Sequence, residues 1–348
     1  MASSDSKRFI SLEYFRGICA VVVALSHFLM QANYGDIFQH IAALAVEAFF
    51  PLSGFVLGEQ IIRVLNNRKS LGVFVLRRWM RTLPPYLIAL IMISVLLDQF
   101  LAREFFGYLF FINYLRLCEE ICFSDFFPIA WSLSIEEWFY ILFPIFLIAV
   151  THHRKSRIKL IAWTLGFVIF FVIARGLLFG LEDPDQLRTN TLLRLDSIAF
   201  GFLLFIWSSE NLPRRRLVSL FLLSLICLLF LFFGLNSQHE GDIWIQVLLL
   251  AAPIFFGTII ALLVNYERTR TNTLRRFVLP VGVWLGRTSY SIYLFHLILI
   301  YLFFPDPNLK DLPLFLSILF LFSIVFYWTI EKPILELRPK YATFRSLG

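Results

Sequence analysis

The sequence predicts an all-α protein that crosses a membrane many times, and three observations lead to this prediction. First, 59% of the 348 residues are hydrophobic and only 16% are charged, whereas a soluble domain carries about a quarter charged residues. Second, long apolar runs recur along the chain, as is typical of transmembrane helices. Third, the basic residues concentrate in alternate loops. We therefore exclude a soluble globular fold and expect a polytopic membrane helix bundle of about ten transmembrane helices.

Ten apolar segments qualify as spans. The first is too long for a signal peptide and lacks a small-residue cleavage site, so we expect it to be retained. The chain is expected to form one membrane domain over 1–348, with no appended soluble domain. The predicted spans cover 9–31, 39–63, 82–100, 129–150, 158–179, 191–208, 217–234, 244–264, 288–304 and 313–330.

The distribution of Lys and Arg sets the expected orientation. With the N-terminus inside, most of the 31 basic residues fall in inner loops, and the outer loops are rich in Asp and Glu. This positive-inside pattern predicts that both termini are cytoplasmic. If the apolar stretch 105–116 crossed the membrane, every later loop would change side. We therefore interpret 101–128 as an outer excursion with one short re-entrant or interfacial helix. Cys118 and Cys122 lie there, and a disulfide and two unpaired thiols are equally compatible with their spacing.

The first span carries two ionisable residues, Arg16 and His27, on one face. Eleven helical steps bring them within about 20° of the same direction and about 16 Å apart along the axis. Ionisable groups are costly inside a bilayer, so such a residue in a span indicates function by default. The expected depth of His27 is beyond the midplane, in the outer half of the membrane.

Two further spans bring ionisable residues to the depth of His27. Glu136 and Glu137 lie in the first turns of the fourth span, and Arg194 and Asp196 lie in the first turns of the sixth. An imidazole paired with a carboxylate can act as a general base toward an alcohol, or it can carry an acyl group. The same residues are compatible with a proton relay in a transporter. They are also compatible with polar pairs that only join helices, and Arg194 with Asp196 fits a structural ion pair equally well.

The segment before the third span is a candidate phosphate site. Arg78 and Arg81 are three residues apart, so they share a face if the segment is helical. Arginine clusters bind phosphates through bidentate hydrogen bonds, although an ordinary positive-inside anchor has the same composition. Arg16, on the stripe above this cluster, favours the phosphate interpretation. We assign Arg16, Arg78, Arg81 and Tyr86 to binding of a cytoplasmic donor that carries several phosphates.

Three more residues join Arg194 and Asp196 in an expected acceptor-side or supporting role. Ser53 precedes Gly54 in the second span, where a small residue permits close helix packing. Tyr140 follows the two glutamates on the fourth span. His296 lies near the middle of the ninth span, and a helix–helix hydrogen bond and a place in the site are equally compatible with this position.

Together these segments resemble the acyltransferase-3 family of integral membrane acyltransferases, because seven motifs occur in the family's order. Three positions depart from the usual pattern: Glu13-Tyr14 replaces Asp-Gly, Pro51 replaces an aliphatic residue, and Ser197 replaces Gly. The motifs are Arg16-x10-His27, FFPLSGFVL from Phe49, RRWMRTLPPY from Arg77, WSLSIEEWFY from Trp131, RLDSIAFG from Arg194, LGRTSYSIYLFH from Leu285 and EKP from Glu331.

The resemblance implies transfer of an acyl group, commonly acetyl from acetyl-CoA, to a hydroxyl of a surface glycan or lipid-linked sugar. It implies that His27 is essential and that Arg16, Arg78 and Arg81 serve acyl-CoA. It also implies a multi-pass protein of a bacterial inner membrane.

We therefore expect a membrane O-acyltransferase whose donor, an acyl-CoA, enters from the cytoplasm and whose saccharide acceptor enters from outside. The expected catalytic residues are His27, Glu136 and Glu137. One glutamate orients the imidazole, which either takes the acyl group or deprotonates the acceptor. Acyl-CoA is a co-substrate, and we expect no bound cofactor and no metal. We also expect no nucleic-acid partner, because the basic residues behind the net charge of +7 follow the topological pattern of the loops. The alternative is a proton-coupled transporter, which the absence of an internal repeat disfavours.

Overall fold

The computed structural model describes residues 9–115, 126–151, 156–178, 184–208, 214–234, 241–269 and 273–341. Over these ranges the chain is helical and forms no strand. Eight of its helical segments are long and apolar enough to cross a membrane. The predicted all-α, polytopic fold class is therefore confirmed. Cys118 and Cys122 lie outside the described residues.

Fourteen α-helices are numbered along the described chain. Short 3₁₀ turns at Leu192–Arg194 and Leu309–Asp311 and a π-turn at Tyr327–Glu331 join some of them. The helices are α1 Ile10–Gln31, α2 Ile37–Glu47, α3 Phe49–Asn66, α4 Ser70–Leu96, α5 Arg103–Leu109, α6 Ala130–Val150, α7 Arg157–Leu177, α8 Pro184–Thr189, α9 Leu195–Ser208, α10 Arg214–Gly234, α11 Gly241–Thr269, α12 Thr273–Phe303, α13 Leu312–Phe326 and α14 Lys332–Glu336.

The second predicted span consists of two helices, α2 and α3, which meet at Ala48. Pro51 has no N–H, so the carbonyl of Glu47 loses the hydrogen bond that would join the two helices. Ala48 nevertheless keeps helical backbone angles, φ −67° and ψ −28°. The two helices therefore remain one membrane-length unit, Ile37–Asn66.

The third predicted span begins earlier than the sequence suggested. The helix α4 is continuous through Pro84 and Pro85, so the amphipathic stretch before the span belongs to the same helix. Side chains hold the turn that precedes the prolines: Thr82 donates to the carbonyl of Arg78 (3.1 Å), and Tyr290 of α12 donates to the carbonyl of Thr82 (2.8 Å). These contacts tie the turn to α12, whereas the carbonyls that Pro84 and Pro85 leave without an N–H partner are those of Met80 and Arg81.

A short helix, α5, lies where the outer excursion was predicted. It has seven residues, which is too few to cross a bilayer. Its buried residues include Phe105 and Tyr108. Tyr86 of α4 donates to the carbonyl of Tyr108 (2.8 Å) and stacks on Phe111, with ring centroids 4.6 Å apart. The helix is therefore fastened to the bundle by aromatic side chains.

Two glycines bring α3 and α9 into backbone contact. A Cβ added at Gly54 would lie 1.9 Å from the carbonyl oxygen of Ile198, and one added at Gly201 would lie 2.1 Å from that of Pro51. Small residues allow membrane helices to approach this closely. The close packing predicted at Ser53-Gly54 is therefore confirmed.

Gly54→Ala is expected to lower stability, because the added methyl group meets backbone that cannot rotate away. The expected cost is about 1–3 kcal/mol, as for overpacking elsewhere. Gly166→Ala in α7 is the matched control, since nothing lies within 4 Å of the added Cβ and alanine is the better helix former. Thermal unfolding in detergent measures both. Equal melting temperatures for the two variants would contradict the close contact.

Candidate active site

The helices α1 and α12 touch near one end and bring two histidines together near the other. A Cβ added at Gly17 would lie 2.6 Å from α12, and one added at Gly286 would lie 2.3 Å from the side chain of Glu13 on α1. On α1, His27 lies ten positions after Gly17, and on α12, His296 lies ten positions after Gly286. Each interval is about 15 Å of helical rise. Because the intervals are equal and the helices run in the same direction, the histidines meet.

The two imidazoles form a hydrogen-bonded pair and lie edge to edge, with ring centroids 5.0 Å apart. Nδ1 of His27 lies 2.8 Å from Nε2 of His296, and the ring planes differ by 5°. Nδ1 of His296 lies 2.7 Å from the carbonyl oxygen of Tyr293. His296 is fully buried, so these two contacts fix its orientation.

The hydrogen bonds determine which nitrogens carry protons. A carbonyl oxygen only accepts, so Nδ1 of His296 must be the donor to Tyr293. The Nε2 atom of a neutral His296 is then an acceptor, and Nδ1 of His27 donates to it. In a neutral His27 the remaining nitrogen, Nε2, therefore holds a lone pair. This nitrogen can accept a proton or attack a carbonyl carbon.

His27 lines a cavity of about 400 Å³, which we call the histidine cavity. Its wall combines aromatic rings, side-chain amides and one guanidinium, that of Arg188, which lies 4.8 Å above the ring of Trp131. The side chains of this wall that can contact a polar ligand are Gln31, Gln39, Tyr114, Trp131, Gln186, Arg188, Thr189, Tyr293 and Tyr301.

A second, narrower cavity of about 80 Å³ is lined by Arg16, Arg78 and Arg81, and we call it the arginine cavity. The structure thus brings together the three arginines that the sequence assigned to the donor. Arg78 lies 5.8 Å above the ring of Tyr140. Tyr86, assigned to the same group, does not line this cavity; its hydroxyl is bonded to the carbonyl of Tyr108.

Tyr293 lines both cavities, so its side chain lies where the two come together, and we call it the partition. Its hydroxyl lies 2.7 Å from Oγ of Ser132 and donates to the carbonyl of Ile129 (3.2 Å). These contacts join α12 to the beginning of α6. Because the same residue also supplies the carbonyl that orients His296, the partition and the histidine pair are built on one turn of α12.

Glu136 lines the arginine cavity rather than pairing with His27. Its carboxylate accepts hydrogen bonds from Ser53 (2.5 Å) and from Tyr140 (2.7 Å). Glu137 is buried beside Thr82 and Trp79 of α4. Among the described residues, neither glutamate is hydrogen-bonded to His27, whose partner is His296. The pairing expected from shared depth differs because depth does not specify which way each helix is turned.

Arg194 and Asp196 do not pair with each other. Arg194 forms a buried ion pair with Glu47 of α2, and Asp196 accepts two hydrogen bonds from Arg175 of α7, at 2.8 and 3.2 Å. Arg175 also donates to the carbonyl of Leu193 (2.6 Å). The sequence reasoning missed Arg175, although an ionisable residue inside a predicted span is the signal that would have found it.

Metal ligation has no candidate in the described part of the chain, where no three His, Cys, Asp or Glu side chains come together.

Comparisons with known proteins place the chain in a family. A family profile described as an acyltransferase domain matches residues 9–332. The chain is 26% identical to "Putative O-acetyltransferase SAR0937" of Staphylococcus aureus in an alignment of 372 positions, gaps included, that covers 96% of this chain and 58% of the relative. It is 23% identical to the peptidoglycan O-acetyltransferase OatA of Listeria monocytogenes over 361 residues, 94% of this chain and 56% of the relative. The chain thus spans somewhat more than half the length of these relatives. No solved structure matches it.

Arg175→Met is expected to destabilise the protein by about 3–5 kcal/mol, because it leaves the buried carboxylate of Asp196 without its partner. The double change Arg175→Met with Asp196→Leu should recover most of the loss, since both charges are then absent. Lys332→Met is the control. Nζ of Lys332 lies 3.8 Å from the carboxylate of Glu336, and this pair is exposed. Surface ion pairs contribute about 0–1 kcal/mol. Thermal unfolding measures all three. A double variant no more stable than Arg175→Met would contradict the pairing.

Proposed function

The chain belongs to the acyltransferase-3 family, and from this premise we propose that it is a membrane O-acyltransferase. It moves an acyl group, acetyl in the first instance, from acyl-CoA to a hydroxyl of a glycan or lipid-linked saccharide. The donor is used from the cytoplasmic side and the acceptor from the outer face of a bacterial inner membrane. One observation carries the proposal. The His27–His296 pair leaves Nε2 of His27 with an available lone pair, and His27 lines the histidine cavity.

The arginine cavity is the proposed donor site. Guanidinium groups bind phosphate oxygens through pairs of parallel hydrogen bonds, and Arg16, Arg78 and Arg81 converge on one space. Among the described residues, Glu136 is the one carboxylate that lines this cavity, and its two oxygens already accept hydrogen bonds from Ser53 and Tyr140. The cavity is therefore suited to the phosphates and polar arm of acyl-CoA.

The histidine cavity is the proposed acceptor site. Sugars present apolar C–H faces and rings of hydroxyl groups, so aromatic side chains and amides suit them. Trp131, Tyr114 and Tyr301 supply rings, and Gln31 and Gln186 supply amides. The name of the Listeria relative, a peptidoglycan O-acetyltransferase, supports a glycan acceptor.

Two routes use the same nitrogen. In the direct route, Nε2 of His27 takes the proton of the acceptor hydroxyl while the hydroxyl oxygen attacks the thioester carbonyl. The C–S bond then breaks, and the proton passes to the leaving thiolate. In the covalent route, Nε2 attacks the thioester carbonyl, the C–S bond breaks, and coenzyme A leaves as the thiolate while the imidazole becomes an acyl-imidazolium. The acceptor oxygen then attacks the acyl carbon, the C–N bond breaks to restore the neutral imidazole, and the hydroxyl proton passes to the thiolate. Both routes convert a thioester and an alcohol into an ester and a thiol.

His296 acts in both routes as a positioning residue. Its fixed acceptor nitrogen holds the proton of His27 on Nδ1, and so keeps Nε2 available. Glu136 supports the donor side through Ser53 and Tyr140. Tyr293 stands between the thioester and His27, so donor and acceptor meet where its side chain lies.

His27→Ala is expected to abolish acyl transfer, and His296→Ala is expected to lower kcat by about 10²–10⁴-fold, the range for a lost acid–base function. His296→Gln should restore part of the rate, because its side-chain oxygen can accept the proton of His27 Nδ1. His40→Ala is the control, since His40 is exposed. Coenzyme A release from acetyl-CoA, with a soluble saccharide as acceptor, measures the rate.

The outcome that would overturn the proposal is full activity of His27→Ala. Full activity of His296→Ala would remove only the positioning role. Intact-mass analysis of the protein after donor alone separates the routes, since the covalent route adds the mass of one acyl group to wild type and none to His27→Ala.

Arg81→Gln is expected to raise the KM for acyl-CoA about tenfold or more, because a charge-assisted hydrogen bond contributes about 1.5–3 kcal/mol. The KM for the saccharide should stay unchanged. Arg188→Gln is the matched control, because Arg188 lines the other cavity, and the proposal expects the opposite pattern from it. Initial rates with each substrate varied in turn decide the question, and identical patterns in both variants would contradict the assignment of the cavities.

A further inference from the structure

Residues beyond α14 fold back onto the bundle and place an arginine beside the arginine cavity. Arg77 of α4 donates to the carbonyl of Pro339 (2.6 Å), and its guanidinium lies 5.1 Å from the ring centre of Tyr341. The hydroxyl of Tyr341 donates to Gln60 of α3 (3.4 Å). We call residues 337–341 the return segment. It lies beyond the stretch that the family profile matches, which ends at residue 332.

The return segment carries Arg338, which is half-buried and forms no hydrogen bond through its guanidinium to the described residues. Its Nε and Nη2 atoms are buried and have no hydrogen-bond partner in the structure. Burying a polar N–H without an acceptor costs about 1–3 kcal/mol, and more for a charged group. The contacts of Pro339 and Tyr341 with α3 and α4 hold the segment in place. Two N–H groups of Arg338 remain able to donate a hydrogen bond to a ligand.

The surroundings of Arg338 are positive. Burial lowers its pKa to about 9, and the charges of Arg81, Arg78 and Arg77 contribute in the same direction. One carboxylate, that of Glu331, interacts electrostatically with Arg338, but it accepts its hydrogen bond from Ser291. Like charges repel strongly where water is excluded, so the cluster is stabilised by an anion with several acceptor oxygens.

We propose that Arg338, with Arg78 and Arg81, binds a phosphate group of the acyl donor at the edge of the arginine cavity. This inference rests on the proposed function, because it extends the donor site to a residue outside the family's motifs. A phosphate offers the acceptor oxygens that Nε and Nη2 of Arg338 lack, in the forked geometry that arginine prefers. A lipid headgroup carries the same chemistry, and the experiment distinguishes the two sources.

Binding of coenzyme A to the full chain tests the inference. Wild type, Arg338→Gln, Arg338→Lys and the control Lys340→Gln are placed in nanodiscs of phosphatidylcholine, and affinities are measured by calorimetry. Lys340 is the neighbouring exposed cation of the return segment. We expect Arg338→Gln to weaken binding about tenfold or more, Arg338→Lys to weaken it less, and Lys340→Gln to leave it unchanged.

The 3′-dephospho form of coenzyme A identifies the phosphate involved. If Arg338 binds the 3′-phosphate, wild type and Arg338→Gln bind this ligand equally; if it binds the diphosphate, the difference between them persists. Without ligand, Arg338→Gln should melt at the same temperature as wild type or higher, because an unpaired buried charge is removed. A higher melting temperature together with weaker binding is a combination that general damage to the fold does not produce.

Several outcomes would overturn the inference. Wild-type affinity in both Arg338 variants overturns it and leaves the proposed function standing, and so does equal weakening by Lys340→Gln. Unchanged affinity for coenzyme A, together with a loss of stabilisation by phosphatidylglycerol nanodiscs, assigns Arg338 to a lipid headgroup instead. If Arg338→Gln does not fold, Arg338→Lys decides through its affinity. A wild-type protein that binds no coenzyme A overturns both proposals.

Discussion

Polar groups enclosed among apolar helices must find their partners within the protein, and this constraint governs the whole arrangement. Water and lipid offer no hydrogen bonds inside the bundle, so a buried charge is tolerated when another helix supplies its complement. Arg175 and Arg194 satisfy the rule by joining α7, α9 and α2. His296 satisfies it with a carbonyl of its own helix and with His27. The ion pairs fix how these helices pack together. The imidazole pair leaves Nε2 of His27 without a hydrogen bond to the described residues.

The position of the imidazole pair follows from backbone contact elsewhere. Glycines at the α1–α12 crossing let the helices touch, and equal intervals along both helices then bring His27 to His296. A neutral imidazole is a weaker partner for a developing positive charge than a carboxylate, because it carries no opposite charge. The arrangement instead specifies a tautomer. Glu136, which the expected depth made a candidate partner of His27, lines the other cavity and accepts hydrogen bonds from Ser53 and Tyr140.

Much of this was accessible from the sequence, and the remainder has identifiable causes. Hydropathy and loop charge predicted the all-α membrane class, and the spacing of Arg16, Arg78 and Arg81 predicted a shared site, because helical periodicity translates spacing into a face. The partner of His27 was not predictable, since depth along a helix says nothing about its rotation against its neighbours. The pairing of Arg194 was missed for the same reason. Helix α4 begins earlier than predicted because the amphipathic stretch and the span form one helix, which Pro84 and Pro85 do not end.

Tyr293 stands between the two cavities, and its position has a consequence for the membrane itself. If, as proposed, the donor cavity serves one side of the membrane and the acceptor cavity the other, any motion that joins them also creates a continuous polar passage through the bundle, along which protons and small ions leak. A small acyl group needs only a brief displacement of one ring, whereas a long chain would hold the passage open during its transit. The partition therefore links the size of the transferred group to the electrical insulation of the membrane.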